Sequence, residues 1–131
     1  MKLRLRCLKT SVLLLALLAA TFAHAGPAVR VGDSSEHGGK VTDDGYNPVL
    51  TGGLERKVRI NGKFPVAAGA MHTCPLSIGI VPHVGGPVTG PPLSSKTRVL
   101  GVPIVLHGAL ATCVGAVDKI LGGSPNVRIN K

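Results

Sequence analysis

Hydrophobic positions fall into two regimes along this chain. From Ser11 to Phe22 they are almost unbroken, behind a stretch that carries Lys2, Arg4, Arg6 and Lys9. From Gly26 onward they come in short runs cut by Asn-Gly, Gly-Pro and Gly-Gly pairs. Residues 58–60, 98–100, 104–106 and 127–129 are such runs, and their length, with turn residues at the ends, predicts short β-strands. Beyond residue 26 no dozen residues keep a three-four apolar spacing without an internal Gly or Pro, which disfavours helix apart from a short turn near 110–117. Residues 81–93 hold Pro82, Pro87, Pro91 and Pro92 among glycines. Proline has no N–H to give a ladder, so this stretch is barred from a central strand and predicts a long, stiff loop across one end of the domain. The expected class is all-β.

One phrase occurs twice. Val58-Arg59-Ile60-Asn61-Gly62-Lys63 returns as Val127-Arg128-Ile129-Asn130-Lys131, where the sequence stops. The internal copy runs on into Pro65-Val66-Ala67-Ala68-Gly69, and a matching continuation stands near the start, at Gly26-Pro27-Ala28-Val29-Arg30-Val31-Gly32-Asp33. The two ends therefore complete one repeat between them, which predicts that the last strand lies beside the first.

The first regime reads as an address. A basic segment, an apolar run too short for a comfortable membrane span, and the small-x-small triplet Ala23-His24-Ala25 form a bacterial-type secretory signal peptide over 1–25, cut before Gly26. An uncleaved anchor is the competing reading, opposed by the small-residue site. Export to the periplasm or beyond is the expected location, with membrane contact only through this segment before cleavage. Cys7 lies within it and carries no site chemistry.

Residues 26–131 are the length of a single domain. The chain has 18 glycines and 10 prolines, and only Tyr46 and Phe64 remain as aromatics after Gly26. A core must then come from closely packed small aliphatics, backbone ladders, or a cross-link such as a metal or disulfide. The net charge of +9 is spread over Lys40, Arg56, Lys57, Arg59, Lys63, Lys96, Arg98, Lys119, Arg128 and the leader. With no aromatics between these cations, nucleic acid is not the expected partner; a solvated basic sheet face explains them.

The candidate chemistry repeats with the chain. His37 follows Gly32 by five residues, Cys74 follows Gly69 by five, and Cys113 follows Gly108 by five. If the repeats surround a pseudo-threefold axis, these side chains converge and supply three corners of a tetrahedron for Zn2+. His83, flanked by Pro82 and by Val84-Gly85-Gly86, is the candidate fourth ligand, with His72 as the alternative. His107 fits no ligand position and reads as a structural or surface histidine. Two cysteines in an exported chain are also commonly a disulfide, so a Cys74–Cys113 staple stands as the rival to the zinc reading.

Gly26-Pro27-Ala28-Val29-Arg30-Val31-Gly32-Asp33 followed by His37-Gly38-Gly39 resembles the repeat of the proline-alanine-alanine-arginine (PAAR) family. Met71-His72-Thr73-Cys74-Pro75, Pro82-His83-Val84-Gly85-Gly86-Pro87, Ala111-Thr112-Cys113-Val114-Gly115 and Gly123-Ser124-Pro125-Asn126-Val127 extend the resemblance over 26–131. The resemblance implies a small cone of short strands with pseudo-threefold repeats, Gly/Pro-rich loops and a metal near its point. It also implies a spike-tip role in type VI secretion, seated on a trimeric valine-glycine-repeat spike protein and able to carry effector cargo. The family's zinc carries over onto His37, Cys74 and His83, with Cys113 or His72 completing the set. The chain departs from the family at Pro65-Val66-Ala67-Ala68-Gly69-Ala70, which lacks the usual Arg and Asp, and at the more hydrophobic Pro103-Ile104-Val105-Leu106-His107-Gly108-Ala109.

Two functions from different classes follow. The favoured one is a non-enzymatic, zinc-stabilised tip, delivered through the secretion system. The rival is a small secreted or periplasmic zinc-binding or disulfide-stapled protein, acting as a toxin or enzyme. The acids Asp33, Glu36, Asp43, Asp44, Glu55 and Asp118 form no evident pair with the metal candidates beyond Glu36 beside His37, which disfavours an enzyme.

Overall fold

The computed structural model describes residues 25–46, 57–114 and 116–130. The leader apart from Ala25, and Arg56, Glu55 and Lys131, lie outside the described residues. Nine short strands are found among those described, and no helix: β1 (Ala25–Pro27), β2 (Ser77–Ile78), β3 (Val81–Pro82), β4 (Gly85–Val88), β5 (Leu93–Val99), β6 (Val102–Val105), β7 (Leu110–Cys113), β8 (Ala116–Lys119) and β9 (Arg128–Asn130). The all-β class is thus observed. Pairing is antiparallel throughout, as β1 with β9, β2 with β3, β5 with β6, and β4, β7 and β8 in that order.

The organising feature lies between the strands. Val29 N–H donates to Val105 O (3.0 Å), Val105 N–H to Val66 O (2.8 Å), and Val66 N–H to Val29 O (3.0 Å). The three segments thereby close a cyclic set of bonds. Each segment then turns at a glycine with positive φ: Gly32 at 88°, Gly69 at 94° and Gly108 at 87°. That conformation is strained for any residue with a Cβ. The N–H of each glycine donates to Val41 O, Val88 O or Ile120 O, every time at 2.8 Å. Val41, Val88 and Ile120 return their own N–H groups to Asp33, Ala70 and Ala109 O (3.0, 2.7 and 2.9 Å). One residue on, the N–H of Thr42 reaches Met71 O, that of Thr89 reaches Leu110 O, and that of Leu121 reaches Ser34 O. Each returning segment is therefore bonded to the outgoing segment of the next repeat, and the third closes on the first.

Packing follows from this ring. Val29, Val66 and Val105 are fully buried, as are Val88 and Ile120, and with Val41, Ala70, Ala109 and Ala111 they form one apolar cluster. Narrow β-branched and Ala side chains suit a place where three backbones approach closely, and this cluster holds no ring; Tyr46 is buried outside it. A second cluster, Ala28, Ile60, Ile104, Leu106 and Ile129 with Val99 and Val127 against it, lies toward the segment starts. Burying an aliphatic side chain contributes about 1.5–3 kcal/mol, so two such clusters can hold a domain of this size.

Several expectations are met at the level of elements. Strand β9 pairs with β1, Gly26 opposite Ile129 and Pro27 opposite Arg128, so the broken repeat is completed across the two ends. The pairing extends to Ala25 opposite Asn130, one residue into the expected leader. Others need correction. Residues 58–60 form no strand; Ile60 and Lys63 instead exchange bonds across Asn61 (φ 52°) and Gly62 (φ 77°), the conformation Asn-Gly favours in a tight hairpin turn. The same turn recurs at Leu100 (51°) and Gly101 (79°), ending β5 at Val99. In place of the helical turn expected near 110–117 stand β7 and the start of β8, because β4 and β8 supply ladders on both sides of β7. Residues 81–93 are not one loop: they hold β3, β4 and the start of β5. Strand β4 admits Pro87 because its ladder to β7 is irregular between Gly85 and Val88, which leaves Pro87 outside the regular hydrogen bonds.

Candidate metal centre

The three outgoing segments deliver their side chains to one end. Five residues past the turn glycines stand His37, Cys74 and Cys113. A fourth side chain comes from the second repeat, whose return is delayed by the β2–β3 hairpin; His83 N–H donates to Leu76 O at 2.8 Å, which folds the histidine back over Cys74. Val114 N–H to Val84 O (3.2 Å) fixes the same stretch from the other side.

His37, Cys74, His83 and Cys113 offer ligand atoms that all lie within 4.8 Å of one another. Cys74 Sγ is 3.5 Å from His37 Nδ1 and 3.8 Å from His83 Nδ1, and Cys113 Sγ is 3.2 Å from His83 Nδ1. For metal–sulfur bonds near 2.3 Å and metal–nitrogen bonds near 2.05 Å, the edge of a tetrahedron joining S to N is roughly 3.6 Å. The observed separations bracket that value. The two imidazoles stand edge to face, with centroids 6.1 Å apart and 66° between planes. Cys74 and His83 are buried, while His37 and Cys113 are half-buried.

The chemistry of the donors fits a metal ion. Loss of water contact, then the Cys74 thiol and the Asp118 carboxylate, push the Cys113 thiol up to about 11. Neighbouring thiols resist becoming thiolates together; a bound cation reverses that preference and takes both as ligands. Cys74 and Cys113 are free thiols, so the disulfide that competed with the metal in the sequence is not formed in this structure.

The other candidates lie apart from the four donors. His72 is fully inside the fold, with Nδ1 2.7 Å from Gly86 O and Nε2 3.2 Å from Asp118 Oδ2. His107 is exposed on the third turn, its N–H given to Pro27 O. Against expectation, Asp118 is paired with one of the donors. Its Oδ1 accepts His37 N–H at 3.1 Å and lies 3.8 Å from His37 Nδ1. Burial alone raises the Asp118 carboxyl, but bonds from the Ser35 hydroxyl and the N–H groups of His37 and Lys119, with the His37 ring, hold it below its ordinary value. The sequence does carry a signal: two residues before Val41, Val88 and Ile120 stand Gly39, Gly86 and Asp118, so one repeat has an acid where the others have glycine.

Close backbone approach keeps His83 in place. A Cβ on Gly85 would meet the His72 carbonyl, whose oxygen lies 1.9 Å from the position it would take. Gly85→Ala is therefore expected to cost about 3 kcal/mol or more, read as a lowered urea midpoint, because only backbone is available to move.

Comparison with protein-family models, curated proteins and solved structures returns no match.

Proposed function

We propose that this protein is a non-enzymatic structural module centred on Zn2+: a PAAR-type spike tip, conical in shape, with the metal end as its point and the opposite end seated on a trimeric valine-glycine-repeat spike. The observation that carries the proposal is the convergence of His37, Cys74 and Cys113 from equivalent turns, joined by His83. Two thiolates and two imidazoles are a zinc donor set, and four protein ligands leave no open position for a substrate, as in structural rather than catalytic zinc sites.

The opposite end supports docking on a threefold partner. Arg59 and Arg98 lead equivalent hairpin turns, and each donates from its guanidinium to the carbonyl three residues on, Gly62 O and Gly101 O, both at 3.0 Å. Arg128 leads the third copy in β9, and the following residues Ile60, Val99 and Ile129 share one apolar cluster. Repeated cations around an apolar centre match the end of a trimer, which presents its groups in threes. Mixed with a spike trimer from the same genome, the protein is expected to bind as a single copy per trimer by native mass measurement. Three copies per trimer, or no complex with any such spike, would contradict docking. The basic, apolar and small-residue pattern of 1–25 carries the accompanying proposal of export, with effector cargo as a further load on the tip.

A further inference from the structure

The layer just inside the four donors breaks the threefold pattern. Three residues past each turn glycine stand Ser35, His72 and Ala111; facing them on the returning segments stand Gly39, Gly86 and Asp118. At each of the two positions two of the three repeats carry a small residue or none, and the space is taken by the His72 and Asp118 side chains, both at zero exposure. A buried carboxylate is costly unless every lone pair is used. The glycines at the equivalent positions show that closing the ring of repeats does not call for one.

The bonds of this pair run to the donors. Asp118 Oδ1 accepts from His37 N–H (3.1 Å) and from Lys119 N–H (2.8 Å), and Asp118 Oδ2 lies 3.2 Å from His72 Nε2, at ion-pair distance without hydrogen-bond alignment. The Gly86 carbonyl lies 2.7 Å from His72 Nδ1 and also accepts His72 N–H at 3.1 Å. His72 precedes Cys74 by two residues, Gly86 follows His83 by three, and Ala111, opposite Asp118 in the β7–β8 ladder, precedes Cys113 by two. One pair thus touches the backbone leading to each of the four donors. It also matches the asymmetry of the donors themselves, since only the second repeat carries the hairpin that brings in His83.

We infer that Asp118 and His72 are positioning residues, an internal brace that sets the four donors before the ion arrives. The inference rests on the metal-centred reading of those donors. The test is Zn2+ titration of the intact protein against a chromophoric chelator, with Co2+ absorption as a geometric signature and the melting temperature of the metal-free form measured alongside. Asp118→Asn keeps an acceptor for His37 N–H but loses the charge; it is expected to bind Zn2+ about 10–100-fold more weakly, with an altered Co2+ spectrum and a metal-free melt within a few degrees of the parent. His72→Asn retains a donor for Gly86 O, is too short to reach Asp118, and is expected to fall in the same range; it serves if Asp118→Asn does not fold. Affinities within about threefold of the parent, or a lowered metal-free melt with unchanged affinity, would overturn the brace and leave the pair as core filling. If the parent itself binds no Zn2+, the metal reading fails, and the two failures are told apart by that control.

Discussion

Cys74→Ala is expected to abolish stoichiometric metal binding and to lower the melting temperature by on the order of 15 °C in the presence of zinc. Cys74 Sγ is the buried donor that faces both histidines, at 3.5 Å from His37 and 3.8 Å from His83. Removing it leaves three donors and an open corner. A ligand that binds only the folded state stabilises by RT ln(1 + [L]/Kd), about 4 kcal/mol at a thousandfold excess over Kd, and a domain of this size converts each kcal/mol into several degrees. The fold keeps a core of its own, so the variant should resemble the parent stripped by chelator rather than an unfolded chain. Chelator should then lower the parent and leave the variant almost unchanged. A variant that still carries one equivalent of zinc would place the metal elsewhere.

Deleting residues 127–131 is expected to cost about 5 kcal/mol, enough to leave the domain largely unfolded at room temperature. The deletion removes the whole of β9 and with it the partner of β1. It takes Ile129 out of the second apolar cluster, at about 1.5–3 kcal/mol, and uncovers Ala28, Ile60, Ile104 and Leu106 beside it. It also strips Ala28 N–H of its acceptor Val127 O (3.2 Å) and the Ser94 hydroxyl of Asn130 O (2.8 Å), each worth about 0.5–1.5 kcal/mol. Trimming a frayed terminus costs far less. Denaturant unfolding of the truncated form checks this; a melt within a few degrees of the parent would mean that the last strand is not part of the ring.

The parts of this fold that were legible in its sequence were those where one residue type is nearly obligatory. The positive φ of Gly32, Gly69 and Gly108 explains why three glycines recur at one spacing before His37, Cys74 and Cys113. The two-part repeat was readable because Val-Arg-Ile-Asn at both copies ends at the same kind of turn or terminus. Legibility failed where partners rather than propensity decide. Leu110-Ala111-Thr112-Cys113 is too short to declare a period, and becomes a strand because β4 and β8 flank it. Strand β4 is hidden by Pro87, which a break in the ladder between Gly85 and Val88 tolerates and a regular ladder would not. Asp118 is not legible as a site residue because its partners, His37 and His72, are distant in sequence and meet only once the repeats close.

The metal centre is tested most directly by native mass measurement of the purified protein beside a denatured, thiol-alkylated sample. The account predicts one zinc ion per chain in the native sample, and alkylation of both Cys74 and Cys113 once the metal is removed. A metal-free chain lighter by a pair of hydrogens, with neither cysteine open to alkylation, would contradict it and put a Cys74–Cys113 disulfide where the ion is placed.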